Sequence, residues 1–208
     1  MKTPPIGYEN ALNLTLAHIP RLPPIEVEVW EAVGQVLTQD VMAVVDSPSL
    51  TTSGRDGFAV RSEDVKDASE DSPSTLRIVG VVTAGGSTTR HVGPGDAIRV
   101  TTGAPLPKGA DAVVSVEYTT EESHDVVRVR RDAEPGRNVL EKGEDVAIGQ
   151  VLAERGRVLG PAGTGLIAAG GIDRIEVFPK PSVAVISTGD EVVAPGRKLR
   201  EGQLYASN

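Results

Sequence analysis

The chain has 208 residues, no cysteine and a formal net charge of −8, from 29 acidic and 21 basic residues. This length suits one domain or two small ones, and the lack of cysteine excludes disulfides and thiolate metal ligands. The acidic balance and an aromatic content of 3% argue against nucleic acid and anionic membranes as partners. No apolar run is long enough for a membrane span, and the first residues lack the apolar core of a signal peptide. We therefore expect a cytoplasmic protein.

The first predicted element is a helix over residues 8–19, where apolar residues recur every three or four positions until Pro20 ends the pattern. A short helix over 29–33 and an extended run over 35–45 are expected to follow. From residue 49 to about 145 the pattern is that of β structure. The predicted strands cover residues 58–61, 76–82, 97–101, 112–118 and 126–130. The acidic, serine-rich stretch 63–74 is predicted to be an exposed loop.

The second half of the chain begins with a predicted hairpin, with strands 150–153 and 157–159 about the Arg155-Gly156 turn. A helix over 161–169, with Pro161 in its first turn, and a strand over 175–178 are predicted next. The Pro-Lys-Pro run 179–181 is predicted to be a linker between domains. The wholly apolar run 183–186 is typical of a strand buried on both faces of a parallel sheet. Since such a strand needs neighbours, we expect the sequence to end within a domain.

Three loops carry the candidate functional residues: 53–60, 101–114 and 187–193. Each places hydroxyls or carboxylates beside glycines and next to an apolar run, and loops on a rigid frame are where binding and catalysis concentrate. Taken alone, each loop also has a structural interpretation. Asp56 suits a turn before Gly57, Thr102 suits a strand exit, and the pair Asp190-Glu191 suits a turn or the start of a helix.

Four sequence motifs, taken together and in this order along the chain, resemble those of one known protein family. They are TSGRDGFAVR at 52–61, RVTTGAPLPKGADAVV at 99–114, GEDV at 143–146, and STGDEV at 187–192 followed by PG and GQLYASN. Together they cover nearly the whole chain. The chain resembles the N-terminal half of the molybdopterin molybdenumtransferase family of molybdenum cofactor synthesis, to which the E domain of gephyrin belongs.

The resemblance implies a mixed α and β fold that is mostly β, with a β-rich domain inserted in a small α+β domain. The inserted domain would cover residues 48–145, and the small domain residues 25–47 and 146–178. Residues 181–208 would begin an incomplete α/β domain that binds molybdopterin. The helix within residues 1–24 would pack on that third domain.

The resemblance also implies a function: transfer of molybdenum from molybdate to adenylylated molybdopterin with release of AMP, assisted by Mg²⁺. The family acts as a homodimer, and the molybdopterin adenylyltransferase that supplies the substrate is a further expected partner. By position in the motifs, Asp56, Thr102 and Glu191 would be catalytic. The implied substrate-binding residues are Ser53, Gly103, Ser187, Thr188, Gly189 and Asp190. The metal ligands are left unassigned.

The chemistry suits these residue types. Asp56 and Glu191 can serve as acid or base, or can hold Mg²⁺ through oxygen. Thr102 offers a hydroxyl and, with Gly103, backbone N–H groups that we expect to be accessible to an oxyanion. Carboxylates and hydroxyls of this kind are what proton delivery and oxo-ligand exchange at molybdenum need.

Two departures from the family pattern concern positive charge. Family members carry arginines just before Gly143, where this chain has Leu140, Glu141 and Lys142. Arg55 replaces a methionine before Asp56, and its charge is expected to favour the ionised carboxylate.

Two other functions stay open at this point. The chain could be a non-catalytic scaffold or dimerisation module of the same family, or a pterin- or nucleotide-binding protein of another pathway. If the chain is instead the N-terminal half of a molybdenumtransferase, we expect it to be inactive by itself, because the expected pterin-binding sheet is incomplete.

Overall fold

The computed structural model describes residues 6–184 and 188–207. The chain divides into two compact units, Glu26–Val177 and Met1–Ile25 with Phe178–Asn208. The helices are α1 (Tyr8–His18), α2 (Ser62–Val65) and α3 (Pro161–Ala169), with short 3₁₀ helices at Val29–Ala32 and Val116–Tyr118. The strands are β1 (Ile25–Glu28), β2 (Val36–Leu37), β3 (Val41–Met42), β4 (Thr52–Ser53), β5 (Gly57–Val60), β6 (Ser74–Val82), β7 (Asp96–Val100), β8 (Ala112–Ser115), β9 (Thr119–Ser123), β10 (Val126–Val129), β11 (Val139–Leu140), β12 (Val151–Ala153), β13 (Arg174–Phe178), β14 (Val192–Val193) and β15 (Leu204–Tyr205).

A six-stranded sheet dominates the larger unit, in the order β8-β5-β7-β6-β10-β9. Only the β6–β7 pair within it is parallel. Successive side chains of a strand point to opposite faces, and β5 supplies both faces with apolar groups. Phe58 and Val60 belong to one buried cluster, and Ala59 belongs to another. The turn before β5 is therefore anchored to a strand that is buried on both sides.

A second core in the same unit is built from residues on either side of that sheet in the sequence. Its buried members come from residues 29–43 and 146–177. Two small sheets surround it, β1-β13-β2 and β12-β3, and α3 contributes Ile167, which is fully buried. The mixed, mostly β fold class expected from the sequence is confirmed.

The structure corrects the loop predicted over 63–74. Its first part is the helix α2, and Val65 and Ala68 are buried. Asp111 explains the helix, because its carboxylate accepts hydrogen bonds from the backbone nitrogen of Ser62 at 2.6 Å and from the Ser62 hydroxyl at 2.7 Å. The prediction of an exposed loop followed from the many acidic and serine residues of this segment, and it overlooked the two apolar residues that anchor it.

The hairpin predicted over 150–159 is also wrong. Strand β12 pairs with β3, in the register Val151↔Met42, and Val158 bridges Val36. The single extended run predicted over 35–45 is accordingly two strands that belong to different sheets. The strand predicted over 112–118 ends at Ser115 and continues as a 3₁₀ helix. Alternation of apolar residues indicates strands but does not identify their partners.

The smaller unit contains α1, which buries none of its residues, and a parallel pair of strands with the register Val192↔Leu204 and Val193↔Tyr205. Of the strand predicted over 183–186, Val183 and Ala184 are described and are not in a strand, and the other two residues lie outside the described part of the chain. Among the described residues, no helix is long and apolar enough to cross a membrane.

Candidate functional site

The strand register brings Asp56 and Thr102 together. Asp56 lies in the turn that leads into β5, and Thr102 lies in the turn that follows β7. These strands are antiparallel neighbours with Gly57 opposite Val100, so the start of one and the end of the other share an edge of the sheet. Thr102 donates two hydrogen bonds to the same oxygen, Oδ1 of Asp56, from its backbone nitrogen at 2.6 Å and from its hydroxyl at 3.0 Å.

These two donors control the ionisation of Asp56. The backbone N–H of Thr102 lowers the pKa of the carboxyl group most, and the Thr102 hydroxyl lowers it further. Hydrogen bonds donated to the charged form favour that form, so Asp56 is a carboxylate at neutral pH. The sequence analysis expected an ionised group but assigned the cause to Arg55, and the cause is Thr102. A carboxylate with a lowered pKa suits the binding of a cation better than the donation of a proton.

The expectation of accessible N–H groups at Thr102 and Gly103 is wrong. The Thr102 nitrogen is bound to Asp56, and the Gly103 nitrogen donates to the carbonyl of Ser53 at 2.8 Å. Gly103 has a φ of 80°, a left-handed conformation that glycine adopts without steric cost. The two donors hold the loops together, and what Thr102 still offers to a ligand is the acceptor capacity of its hydroxyl oxygen.

Ser53 fixes the shape of the Asp56 turn from inside. Its exposure is 0%, and its hydroxyl donates to the carbonyl of Arg55 at 2.5 Å while accepting from the Arg55 nitrogen at 3.3 Å. Its backbone nitrogen donates to Ala104. We therefore revise its role from direct contact with substrate to positioning of the turn.

Gly57 allows β5 to approach β8 closely. A Cβ atom at this position would lie 2.0 Å from the carbonyl oxygen of Val114 and 2.9 Å from Cα of Ser115. No side chain fits at such distances, and the obstacle is backbone that cannot turn aside. The glycine after Asp56 is thus required by packing and, through packing, by the geometry of the site.

The third predicted loop belongs to the smaller unit. Glu191 accepts a hydrogen bond at its backbone carbonyl from Leu204, at 2.8 Å, and its carboxylate lies beside Gly189, which has a φ of 123°. Thr188 and Asp190 complete the described part of this loop. Ser187 lies outside the described residues. The functional roles of these residues stay predictions.

A second acidic site, which the sequence analysis missed, lies at the GEDV motif. Asp46 accepts a hydrogen bond from the backbone of Ile148 at 2.8 Å and lies 3.3 Å from Nζ of Lys142. The Ile148 amide is the largest cause of the lowered pKa of Asp46, and Lys142 lowers it further against a partial opposing effect of desolvation. Lys142, a cation that stands where the family pattern has arginines, is thus already paired. In the sequence, the Asp-Ser-Pro run at 46–48 indicates only a turn, and nothing in it indicates that Asp46 contacts Lys142 and Ile148.

The described residues of this chain supply only part of the ligand set that a magnesium ion needs. Among the described residues, no group of three or more acidic or histidine side chains could hold a metal ion. Protein-bound Mg²⁺ typically takes one or two carboxylates together with substrate phosphates and water. Asp56 fits one such ligand, because the described residues leave its Oδ2 without a hydrogen-bond partner and the residue is exposed.

The protein is thus mostly β, and at one edge of its main sheet two loops adjoin. One loop carries the ionised carboxylate of Asp56, and the other supplies Thr102, which binds it. A family model described as the MoeA N-terminal region (domain I and II) matches residues 6–171. The chain belongs to this family, which confirms the resemblance found in the sequence.

Relatives and solved structures agree with this assignment. The chain is 41% identical over 185 residues to molybdopterin molybdenumtransferase 2 of Mycobacterium tuberculosis, covering 89% of this chain and 45% of that protein. It is 33% identical over 207 residues to the molybdopterin molybdenumtransferase of Staphylococcus aureus, covering 100% and 49%. The molybdopterin biosynthesis moeA protein of Pyrococcus horikoshii OT3 matches with a TM-score of 0.76 at 36% identity, covering 95% and 52%. The chain thus spans about half the length of the curated relatives that it matches.

Proposed function

We propose that this chain contributes to the insertion of molybdenum into adenylylated molybdopterin, with molybdate as the metal donor and AMP as the released product. The observation that carries the proposal is the Asp56–Thr102 pair, an ionised carboxylate fixed by two donors from one residue. It lies on two of the motifs that resemble those of the family, and the molybdopterin molybdenumtransferase of Staphylococcus aureus matches over 100% of this chain.

The proton balance of the reaction suggests what the carboxylate does. When two thiol groups replace one oxo ligand of molybdate, the oxygen leaves as water and carries away both thiol protons. Asp56 is poorly suited to take a proton from a thiol, whose ordinary pKa is about 8.5, since the pKa of Asp56 is below the usual carboxyl value of 3.8. Its better role is electrostatic, as a ligand that holds a cation.

That cation is Mg²⁺ in this proposal, and when bound it would offset the negative charge of phosphate and of the departing AMP. Asp56 would provide one oxygen ligand, and Thr102 would keep that carboxylate charged and correctly turned. The substrate-contact role that the resemblance gives to Glu191 and to residues 187–190 is part of the same proposal. Thr102 Oγ1 and the backbone at Gly103 would complete the wall that Asp56 faces.

The test is molybdate-dependent release of AMP from adenylylated molybdopterin. It should be measured with this chain by itself and with this chain mixed with a polypeptide that corresponds to the remaining half of the Staphylococcus aureus relative. We expect release only in the mixture, and we expect it to require both molybdate and Mg²⁺. Release that is independent of molybdate would contradict the proposal.

The alternative function, a non-catalytic dimerisation module, draws support from α1. The helix buries no residue; Tyr8 and Leu16 are 80% and 60% exposed, and Ile19 directly after the helix is 61% exposed. We propose that the protein forms a homodimer and that the molybdopterin adenylyltransferase is a further partner. Sedimentation of the chain with Leu16→Asp, compared with Glu9→Asp as control, tests association through α1. A monomer at all concentrations in the parent chain would contradict it.

A further inference from the structure

One pocket of the larger unit gathers positive charge in a protein whose net charge is −8. It has a volume of about 320 Å³, and its lining includes three arginines, Arg55, Arg131 and Arg137. They come from two segments of the chain: Arg55 from the turn before β5, and Arg131 and Arg137 from the loop that joins β10 to β11. The fold, and not one basic stretch of sequence, brings them to the same cavity.

None of these three guanidinium groups forms an ion pair within the described residues. Arg61, Arg77, Arg99, Arg128, Arg130 and Arg174 by contrast each have a carboxylate partner. Two carboxylates, Glu117 and Asp132, also line the pocket, but neither lies within ion-pair distance of its arginines. The cavity therefore keeps an excess of positive charge.

One of the arginines is held in place by an aromatic ring. The guanidinium carbon of Arg131 lies 4.5 Å from the centroid of the Tyr118 ring, a cation–π contact that orients the group. Asn138, at the other wall, donates a hydrogen bond from its side chain to the carbonyl of Val113 at 2.8 Å and has a φ of 54°. The walls of the pocket are thus built from fixed groups.

The pocket shares backbone with the Asp56 turn. Arg55 directly precedes Asp56, and the nitrogen of Val116 donates to the Asp56 carbonyl at 3.0 Å. Ser115, in the wall of the pocket, is opposite Gly57 in the sheet. The pocket and the Asp56 carboxylate are therefore held by the same turn, although the carboxylate itself does not line the pocket.

Guanidinium groups present forked donors that match the oxygens of phosphate. We propose that this pocket binds the phosphate of an organic phosphate or diphosphate, with Arg55, Arg131 and Arg137 as its ligands. If the proposed function holds, on which this last step rests, the phosphates of the adenylylated substrate would bind in this pocket, which shares its backbone with the turn that carries Asp56. Arg131 is positioned by Tyr118, and Lys142 is not needed because it is paired with Asp46.

Calorimetric titration of the folded chain with inorganic pyrophosphate tests this binding site without any turnover. We expect pyrophosphate to bind, and expect Arg137→Gln and Arg55→Gln each to weaken it by about 10-fold, as loss of a charged hydrogen bond does. The matched control is Arg155→Gln, which removes the same charge outside the pocket and should change affinity by less than about twofold at moderate salt. Circular dichroism checks that each variant is folded, and Arg137→Lys, which keeps the charge but loses the fork, serves where glutamine disturbs folding.

Three outcomes would overturn the proposal. One is the absence of pyrophosphate binding at millimolar concentration by the folded parent chain. Another is an equal loss of affinity in Arg155→Gln and Arg137→Gln, because binding would then follow the overall charge. The third is binding of molybdate that Arg137→Gln abolishes and that pyrophosphate and AMP fail to displace, because the pocket would then take the metal donor.

Competition by AMP would instead support the assignment to an organic phosphate. This test is separate from that of the proposed function. Loss of AMP release with normal pyrophosphate binding would contradict the proposed function and leave the pocket standing.

Discussion

The Thr102 residue places both of its donors on one oxygen of Asp56, with the backbone nitrogen at 2.6 Å and the hydroxyl at 3.0 Å. The backbone bond depends on the sheet, because the register of β5 and β7 fixes where the two loops meet. The hydroxyl bond depends on the identity of residue 102. The two contributions to the ionisation of Asp56 can therefore be separated by mutation.

Replacing Thr102 with valine keeps the shape and the backbone donor and removes the hydroxyl. We expect the pKa of Asp56 to rise toward its ordinary value but to stay below it, because the backbone N–H is the larger cause of the lowering. Carboxyl titration by NMR measures this pKa directly. Thr101→Val is the control, since the Thr101 hydroxyl accepts from the nitrogen of Ala84 and does not contact Asp56. An unchanged pKa in Thr102→Val would show that the hydroxyl bond is absent in solution.

The pH dependence of stability should carry the same signature. A carboxyl whose folded pKa is below its unfolded value of about 3.8 contributes stability that is fully present above that value. The contribution is lost as the pH falls through the lowered folded pKa, because the unfolded chain then binds the extra proton more readily. Both Asp56 and Asp46 act in this direction.

Urea unfolding between pH 5 and pH 2 measures the effect. We expect Asp56→Asn and Asp46→Asn each to flatten the decline of the unfolding midpoint below about pH 3.8. Asp67→Asn is a suitable control, because that residue is exposed and makes no side-chain hydrogen bond in the part of the chain that the structure describes. Equal slopes for all four proteins would refute the linkage.

A methyl group at position 57 should damage the fold. In Gly57→Ala the new Cβ would meet the Val114 carbonyl at 2.0 Å, so β5 and β8 must separate. Overpacking of this kind costs about 1–3 kcal/mol, which thermal unfolding measures. The control is Gly165→Ala in α3, where nothing lies within 4 Å of the added Cβ and where alanine should stabilise the helix by about 0.5–1 kcal/mol. A Gly57→Ala variant as stable as the parent would mean that the strands lie further apart than described.

The sequence indicates well the features that depend on local pattern. Helix α3 follows from an apolar run that starts at a proline and stops at glycines, and strands such as β6 and β7 follow from their β-branched residues. The Asp56 and Thr102 loops were identified because glycines and polar groups interrupt those runs. The family pattern then gave them a role.

The parts that the sequence could not indicate are contacts between distant segments. Ser62 and Asp111 are 49 positions apart, and their pairing turns a predicted loop into a helix with buried residues. Strand β12 pairs with β3, across the whole β-rich stretch, and not with its neighbour in sequence. The N–H groups of Thr102 and Gly103 looked accessible for the same reason, since their acceptors come from the 53–56 turn.

The most direct test of the central claim, that the carboxylate of Asp56 acts in molybdenum insertion, is a comparison of Asp56→Asn with the parent chain. Molybdate-dependent AMP release should be measured for both in the presence of the polypeptide that corresponds to the relatives' remaining half. Asparagine keeps the size of the side chain and removes its charge. We predict a loss of rate of about 10²-fold or more, as for removal of a catalytic electrostatic group, in a variant that circular dichroism shows to be folded at pH 7. A variant that releases AMP at the parental rate would contradict the account.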